Sequence, residues 1–502
     1  MKKPTISKLF LYRHRFKIGY ILLTLAFMGT LLVLPLISPN GLSTSEMEST
    51  VASHNFNLKS MTQGSLVNAP YHLLQKLSIE TFGLNSYSIK LPSIILGFIL
   101  ALLLIMLLNR WFKNNVAIMA SVITVISSSF LSVSGFGTPL IMFVFWPTLL
   151  LWLGSKIQGE KKPNSFAVFI FAFALLGAIF TPYLVYLAIF IILYTLTHPH
   201  LRFTIKKLPK FPLIFVTLVV IGGIASLVIN SIKNTDTLVS LFFMKDFSFG
   251  AFWSNIQNAY APFLSWNGLV ESTFLAPLIG LASLALAIIG LISTRNGFLA
   301  SRNSIATYLI IFTTIFSGFC PDFAILLILP LAILIAHGLK YILNKWYSLF
   351  PENPYARIFG IFPIAIFLGI ICFSDISHFV FGYRYNPIVA NQFTNDLSLI
   401  NNKLEDGTVL LVKADTTEYH FYKLFEDKTL FKSKDIKVSS DLPKYVLNGD
   451  KIATLEKWDA IESLKLSRII TNEKTENADR IYVYTADISN KPQAELKEPG
   501  NK

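Results

Sequence analysis

The sequence is poor in charged residues. Of its 502 residues only 14% are Asp, Glu, Lys or Arg, whereas 53% are hydrophobic, and no Asp precedes Asp236. Soluble domains carry roughly a quarter charged residues. With a mean hydropathy of +0.56, this composition excludes an ordinary soluble enzyme. It indicates that a lipid bilayer is the solvent for most of the chain.

Signatures of cofactor binding are also missing. The two cysteines, Cys320 and Cys372, lie in or beside apolar runs and predict neither a disulfide framework nor a cysteine metal site. His54 and His72 share one segment, but no carboxylate or cysteine spacing around them predicts a metal. No Gly-rich phosphate loop, Walker motif or Gly-x-Ser-x-Gly motif is present. The sequence therefore requires no cofactor, and dependence on a divalent metal stays open.

Long apolar runs are abundant instead. About eleven are long enough to span a bilayer, which takes roughly 17–25 residues, or slightly fewer where helices pair tightly. They fall near 18–38, 91–108, 116–134, 139–155, 165–180, 183–197, 211–232, 273–293, 304–320, 322–341 and 358–375. The first run follows a basic N-terminus and lacks a small-x-small cleavage site, which predicts an uncleaved transmembrane helix. Between the fifth and sixth runs, Thr181-Pro182 is either a tight turn or a kink.

The basic residues give an orientation. The net charge is +14, and many of the positive residues cluster in short loops between apolar runs. These loop residues are Arg110, Lys113, Lys156, Lys161, Lys162, Arg202, Lys206, Lys207, Lys210, Arg295, Arg302, Lys340, Lys345 and Arg357. All fall on the side of the basic N-terminus, which the positive-inside rule makes cytoplasmic, so the C-terminus is predicted outside. Such a distribution indicates membrane topology rather than a nucleic-acid partner.

Three segments are predicted on the extracytoplasmic side: a first loop over 39–90, a second loop over 233–272, and the chain from 376 onward. In the last, TVLLVKA and RIYVYTA predict β-strands, EYHFYKLFEDK predicts an amphipathic helix, and IESLKLSRIIT predicts a helix leading into a strand. We therefore predict a polytopic α-helical membrane domain over 1–375 and a small extracytoplasmic α/β domain over 376–490. A disordered tail is predicted over 491–502.

The end of the first loop carries a family resemblance. Pro70 opens a turn, an interfacial helix runs from Tyr71 to Thr81, Phe82-Gly83 follows, and Lys90 precedes Leu91-Pro92-Ser93. This order is similar to that of the GT-C glycosyltransferases, which include protein O-mannosyltransferases and the aminoarabinose transferase of lipid A. Members usually carry Arg where Lys90 stands. The resemblance implies a GT-C-like fold and inverting, base-assisted transfer of a sugar from a polyprenyl-phosphate carrier to an extracytoplasmic lipid, polysaccharide or protein.

The resemblance also points to a catalytic position. In this superfamily the first loop carries an Asp-Glu pair whose Asp is the base, and Ser45-Glu46 stands at the matching place. Because the Asp is missing, the resemblance implies Glu46 or its neighbour Glu48 as the catalytic residue. The two glutamates are about 200° apart on a helix, so they cannot face the same site. A second acid, often an Asp after the third span, is replaced by FGTPLIM over 136–142.

Both glutamates also have a structural interpretation. Ser43-x-x-Glu46 and Ser45-x-x-Glu48 each match a capping box, in which the glutamate holds the start of a helix that runs on to His54. A capping glutamate at a helix start can also be catalytic, so the two interpretations of Glu46 overlap.

Transfer from a lipid phosphate further needs a cation to stabilise the departing phosphate. The candidates for binding the donor on the outer side are Lys59, His72, Lys90, Lys233, Lys245 and Arg384. Lys90 leads because it starts the second span and faces the first loop; the alternative is an anchor whose ammonium reaches the headgroups. Arg384 is alternatively an aromatic-belt residue. Asp322, at the outer end of the tenth span, is predicted to cap a helix after Pro321.

Three functions remain open. The first is a membrane glycosyltransferase whose partners are a polyprenyl-phosphate-linked donor, an outer acceptor and membrane lipids. The second is a non-catalytic homologue that binds the lipid-linked substrate or a partner protein. The third is a transporter or flippase, which the avoidance of charge inside the spans and the large outer segments argue against.

Overall fold

Helices make up most of the chain. The computed structural model describes residues 10–37, 41–56, 66–159, 165–197, 202–203, 208–233, 235–242, 248–264, 279–295, 301–350, 352, 355, 359, 361–385, 392–427, 435–441, 445–458, 464–471, 480–487 and 494–495. The first helices are α1 (Phe10–Ile37), α2 (Thr44–Asn55), α3 (Ala69–Phe82), α4 (Ser86–Trp111), α5 (Asn114–Ile126), α6 (Ser128–Gly135), α7 (Met142–Gly159), α8 (Ser165–Ile179) and α9 (Leu184–Thr197). They are followed by α10 (Lys210–Lys233), α11 (Thr235–Phe242), α12 (Phe249–Leu264), α13 (Leu281–Thr294), α14 (Ser301–Ser317), α15 (Ile328–Leu349), α16 (Ile361–Tyr385), α17 (Asp396–Lys403) and α18 (Thr417–Tyr422). Short 3₁₀ helices cover Pro139–Ile141, Pro321–Leu327 and Lys423–Glu426.

Several of these helices suit a bilayer, and the chain is a multi-pass membrane protein. In the described part of the chain, six are long and apolar enough to cross a membrane, or seven if the bent pair α5–α6 is one span. Each of the eleven predicted segments contains a helix, but α8, α9 and α13 are shorter than a standard span, and α14 is not among the helices that are apolar enough. The number of crossings therefore stays a prediction. The last apolar helix, α16, runs to Tyr385 and so continues beyond the predicted end at 375.

Two breaks in the apolar helices are resolved. The helix axis bends by 60° between α5 and α6, at Ser127, where one continuous run was predicted. Ser127 Oγ accepts a hydrogen bond from the Phe130 N–H and thereby caps α6, which gives the new helix its start. Thr181-Pro182 lies in a tight turn between α8 and α9, in which Tyr183 has a φ of 58°. The turn interpretation of this segment is therefore correct, and the kink is not.

The centre of the helical part is the segment Pro321–Leu349, which is almost wholly buried, whereas α10 and α16 expose most of their surface. Against this segment packs α13, and the two backbones touch where they cross. A Cβ atom on Gly290 would collide with the Leu334 carbonyl oxygen, and one on Gly338 would collide with that of Leu286. Only glycine at both positions allows so close a helix crossing.

A mixed sheet follows the last apolar helix. Its strands are β3 (Val409–Leu411), β4 (Lys437–Ser439), β6 (Lys451–Thr454), β7 (Leu464–Thr471) and β8 (Arg480–Ala486), in the order β4-β3-β6-β8-β7. Two two-stranded pairs lie outside it: β1 (Leu42–Ser43) with β2 (Phe393–Thr394), and β5 (Tyr445–Val446) with β9 (Ala494–Glu495). β3 runs parallel to β4 and β6, and β8 runs antiparallel to β6 and β7.

Most of the local predictions for this region are confirmed. The strand in RIYVYTA is β8, and the strand in TVLLVKA is the shorter β3. EYHFYKLFEDK forms α18 and the 3₁₀ turn after it. Of IESLKLSRIIT, the described residues 464–471 are all strand, so the helix predicted there does not reach Leu464. In the tail predicted to be disordered, Ala494–Glu495 form β9, and the other residues of 491–502 lie outside the described ones. The division into domains at 375 and 490 stays a prediction.

The sheet is joined to the first loop. β1 pairs with β2 antiparallel, so that Leu42 faces Thr394 across the ladder. A single apolar cluster contains Leu42 and Met47 of the loop together with Leu397 and Phe421 from the helices beside the sheet. The first loop is therefore packed between the membrane helices and the C-terminal part of the chain.

The crossing of α13 over α15 gives a test of the packing. Gly290→Leu is expected to lower the free energy of unfolding by about 3 kcal/mol, since the side chain has no room beside the Leu334 carbonyl. Unfolding by SDS in mixed micelles measures this change. Gly222→Leu on α10 is the matched control, because no atom lies within 4 Å of a Cβ there. Equal stability of the two variants would contradict the crossing.

Candidate functional site

The helix α2 starts with a cap. Ser43 Oγ accepts the Glu46 N–H at 3.3 Å, and Glu46 Oε2 accepts the Ser43 N–H at 2.8 Å. These reciprocal bonds are the capping box predicted from Ser43-x-x-Glu46. The second predicted box, between Ser45 and Glu48, does not form, because Ser45 already lies inside the helix.

The Glu46 side chain is fully buried, at 0% exposure. Besides Ser43, its carboxylate accepts a hydrogen bond from the Gly137 N–H, at 2.7 Å from Oε1. The Lys90 ammonium lies 3.8 Å from the same oxygen. A buried carboxylate is tolerated only when it is paired and hydrogen-bonded, and Glu46 meets both conditions. In this arrangement the carboxylate holds three separate segments together and has no contact with solvent.

Gly137 belongs to the segment FGTPLIM, where the superfamily often carries its second acid. The residue is buried between α6 and the Pro139–Ile141 turn, and an added Cβ would lie 2.6 Å from Ile89 Cγ2 and 2.9 Å from the Ile89 carbonyl oxygen. Only glycine brings its N–H close enough to reach Glu46. The segment therefore supplies a backbone donor to the first loop. In the sequence, a glycine directly before Thr138-Pro139 marks this position, but no pattern indicates that its N–H binds Glu46.

Lys90 points inward. Its side chain is 3% exposed, and its ammonium donates to the Gly41 carbonyl at 2.8 Å in addition to pairing with Glu46. The prediction that it faces the first loop is confirmed, and the alternative of an ammonium that reaches the headgroups is wrong because the side chain is enclosed. Its role as a phosphate ligand stays a prediction, and it would require Lys90 to leave these two partners.

Gln75 on α3 organises the packing behind Glu46. Its amide nitrogen donates to the carbonyls of Ile89, at 3.1 Å, and Gly137, at 2.8 Å. Its amide oxygen accepts from the hydroxyls of Ser49, at 2.8 Å, and Ser53, at 2.6 Å. All four hydrogen bonds that a glutamine side chain can make are thus formed in a fully buried position. Gln75 ties α2, α3, α4 and the Gly137 segment together, and the sequence analysis did not find it.

His72, a predicted substrate-binding residue, is buried one turn before Gln75. Its Nδ1 lies 2.8 Å from Ser53 Oγ. The Ser53 hydroxyl donates its single proton to Gln75, so the histidine must donate in the bond to Ser53. The imidazole is therefore the neutral tautomer protonated at Nδ1. Burial lowers the pKa of His72 to about 4. Its binding role stays a prediction, since the ring faces the α2–α3 contact.

The opposite face of α2 is open. Ser45 and Glu48 are both exposed and stand three residues apart, so they lie on one face of the helix. The Glu48 carboxylate accepts a hydrogen bond from Thr417 Oγ1 of α18 at 3.3 Å. The expected division of the two glutamates, one buried and one facing water, is confirmed.

Two acids of the C-terminal part lie near this open face. Asp396 is buried and its Oδ2 accepts the Tyr422 hydroxyl at 2.8 Å. Burial raises the pKa of Asp396, and the Tyr422 bond partly offsets the rise. Glu418, next to Thr417, is exposed, and partial desolvation together with the charge of Asp396 raises its pKa. No local pattern indicated the Asp396–Tyr422 pair, since only the fold brings α17 and α18 together.

The remaining predicted residues are elsewhere. Lys59 and Lys245 lie outside the described residues. Arg384 belongs to the last turn of α16, and Lys233 ends α10. Asp322 lies in the first turn of the 3₁₀ helix Pro321–Leu327, and Cys320 takes the cap position, so the predicted cap is wrong by two residues. Within the described ranges, no group of three or more His, Cys, Asp or Glu side chains is placed to hold a metal.

A further buried acid was not found from the sequence. Asp375 on α16 is 5% exposed, and its carboxylate lies against Gly280 at the start of α13. Ser128 Oγ, at the bend between α5 and α6, donates to its backbone carbonyl at 3.1 Å. An acid inside a predicted span is unusual. Because the apolar run surrounds Asp375, the residue did not stand out in the sequence.

The chain is similar to known proteins in part of its sequence and in its fold. Residues 70–228 match the family of dolichyl-phosphate-mannose-protein mannosyltransferases. A solved structure of ArnT from Cupriavidus metallidurans in the apo state superposes with a TM-score of 0.54 and 12% identity, covering 93% of this chain and 98% of ArnT. ArnT from the same organism bound to undecaprenyl phosphate gives a TM-score of 0.52 with the same identity and coverage. At this identity the likeness shows a shared fold: the chain has an ArnT-like fold. No curated protein matches the sequence.

Ser45-Glu46 stands where the resemblance of the sequence to GT-C glycosyltransferases leads us to expect an Asp-Glu pair. The Glu is the buried member. The position of the missing Asp is therefore on the open face of α2, together with Glu48.

The Gln75 network can be tested by Gln75→Leu. The change removes one hydrogen-bond donor from two carbonyls and the acceptor of two hydroxyls, and we expect it to lower the free energy of unfolding by about 2–4 kcal/mol. SDS unfolding measures the loss, and Gln257→Leu on α12 is a control whose side chain is exposed. A Gln75→Leu protein as stable as this control would show that the network does not hold α2 in place.

The His72 assignment predicts a pH dependence. The folded state holds the imidazole neutral, with a pKa of about 4 against an ordinary value of 6.5. The unfolded chain therefore binds the proton first, and this part of the stability is lost as the pH falls from about 6.5 towards 4. His72→Asn keeps a donor near Ser53 without the titration. The thermal midpoint of this variant in detergent should fall less between pH 7 and pH 5 than that of the wild type. An equally steep fall in both proteins would contradict the assignment.

Proposed function

We propose that this protein is a membrane glycosyltransferase that moves a sugar from a polyprenyl-phosphate carrier to an acceptor outside the membrane. The observation that carries the proposal is the start of α2, where Glu46 is fixed inside and Glu48 stands on the open face. The GT-C fold and the match over 70–228 support the reaction class.

Glu48 is the better candidate for the base. Ser45 stands where the superfamily carries its Asp. Glu48 lies on the same face of α2, one turn of helix after Ser45. Its carboxylate has one weak contact, to Thr417 at 3.3 Å, so it is accessible to an acceptor hydroxyl. Glu46 would instead be a positioning residue, because both of its oxygens accept backbone N–H groups.

The chemistry follows from a single base. Glu48 would take the proton of the acceptor hydroxyl as its oxygen attacks the anomeric carbon of the donor sugar. The bond between that carbon and the phosphate oxygen breaks, and the polyprenyl phosphate leaves with the electron pair. Attack from the side opposite the leaving group inverts the anomeric configuration. A cation near the departing phosphate would lower the barrier further, and Lys59, Lys245 and Arg384 stay candidates for this role.

The donor class and the membrane side rest on separate arguments. ArnT, whose fold this chain shares, binds undecaprenyl phosphate, which supports a polyprenyl-phosphate carrier. The distribution of basic loops supports a cytoplasmic N-terminus and an extracytoplasmic site. The exposed face of α2 that carries Glu48 would then be open to acceptors on the outer side. Neither the sugar nor the acceptor is specified by these residues.

A second candidate function is binding without turnover. Ser45 in place of the Asp favours it, since a serine hydroxyl 3.0 Å from another serine, Ser43, is not a general base. Such a protein would keep the lipid-linked donor or present it to a partner.

Sugar transfer from polyprenyl-phosphate-linked hexoses and pentoses, in membranes carrying each variant, separates these functions. Glu48→Gln is expected to reduce turnover by about 10²- to 10⁴-fold, which is typical for a lost general base, with unchanged stability. Glu46→Gln is expected to lower the free energy of unfolding by about 3–5 kcal/mol, because it removes the carboxylate charge beside the buried Lys90 ammonium.

Glu80→Gln, an exposed glutamate on α3, is the matched control and should behave as the wild type. Full turnover by Glu48→Gln would remove the proposed base. Retained lipid binding without turnover in the wild type, followed by turnover in Ser45→Asp, would establish the binding protein instead.

A further inference from the structure

A group of cations lies at the other end of α4 from the candidate site. Lys90 stands near the start of this helix and Trp111 at its end, about 31 Å away at 1.5 Å per residue. This length matches the thickness of a bilayer core. The two ends of α4 therefore belong to opposite membrane faces.

Three positive side chains converge there from three elements. Lys340 of α15 lies within electrostatic range of Arg302 of α14 and of Lys113, which precedes α5. Arg302 and Lys113 are exposed, and Lys340 is partly exposed. Arg302 also donates to the Trp111 carbonyl at 3.2 Å, which fixes it over the end of α4.

Within the described residues, the group has no acidic partner. Among the described residues, the ion pairs involve Glu46, Glu405 and Glu456, and none reaches these three cations. The side chains beneath them are Phe112 and His337, whose rings meet edge to face at 4.8 Å. His337 is 5% exposed, and its Nε2 has no hydrogen-bond partner. Three cations held together beside these buried rings repel one another unless an anion binds between them.

The position of the three cations relative to the bilayer indicates which kind of anion they bind. Lys340 ends the apolar part of Pro321–Leu349, and the next turns of α15 carry Tyr341, Trp346 and Tyr347. Aromatic residues of this kind mark the headgroup layer of a bilayer. Lys113 and Arg302 stand at helix ends, as expected at the same level. An anion at this depth belongs to a lipid rather than to the solvent.

We propose that Lys113, Arg302 and Lys340 form a binding site for the phosphate of an anionic membrane lipid, on the face opposite the candidate glycosyltransferase site. The site is independent of the proposed reaction. Its ligand is recognised by charge and by depth. A lipid bound there would hold the ends of α4, α14 and α15 together.

Native mass spectrometry of the purified protein tests this site, with phosphatidylglycerol and phosphatidylcholine as probes. The wild type is expected to retain phosphatidylglycerol in preference to phosphatidylcholine. The double variant Arg302→Gln, Lys340→Gln should weaken retention of phosphatidylglycerol by about 30-fold, as expected when two cations near a membrane surface are lost. Retention of phosphatidylcholine should not change.

Matched variants keep the test specific. Lys345→Gln removes an exposed cation from the same helix, where it lies over the Tyr341 ring, and should retain the lipid as the wild type does. The charge-preserving pair Arg302→Lys, Lys340→Arg should do the same. Equal losses in the double variant and Lys345→Gln would overturn the site, leaving only a general attraction of positive loops to anionic lipid. Displacement of the lipid by inorganic phosphate at equal concentration would overturn the lipid assignment.

Discussion

The buried carboxylate of Glu46 is the interaction on which the first loop depends. It joins the start of α2 to the Gly137 segment through one hydrogen bond and to α4 through Lys90. Burying one charge alone would cost several kcal/mol, so the three contacts are needed together. The same interaction fixes the rotation of α2. With Glu46 inside, Ser45 and Glu48 must lie outside.

The loop fixed in this way is shared by two parts of the protein. On the membrane side it rests on α3 and α4 through Gln75, and on the other side it contributes β1 to the pair with β2. Gly41 makes this contact possible. Its φ of 126° suits glycine, and a Cβ would lie 2.6 Å from the Thr394 carbonyl oxygen. The exposed face of α2 that carries Glu48 therefore lies beside elements from distant parts of the chain.

Hydropathy and local motifs predicted much of this structure, because both depend on neighbours in sequence. The apolar runs, the Ser43-Glu46 cap, the exposure of Glu48 and the strand β8 all follow from such patterns. What the sequence did not reveal are contacts across long separations. The Glu46–Gly137 bond spans 91 residues, and the inward turn of Lys90, the four bonds of Gln75 and the Asp396–Tyr422 pair also need the assembled fold.

The pairing of Leu42 with Thr394 has a consequence for biogenesis. A ribosome releases the first loop long before it makes β2, so the loop stays without this strand partner while the intervening helices enter the bilayer. Glu46 meets the Gly137 amide at an intermediate time, and β2 closes the ladder only after residue 394 has been made. The surroundings of the first loop are thus completed late, and a chain truncated before β2 would lack this ladder even if its helices inserted normally.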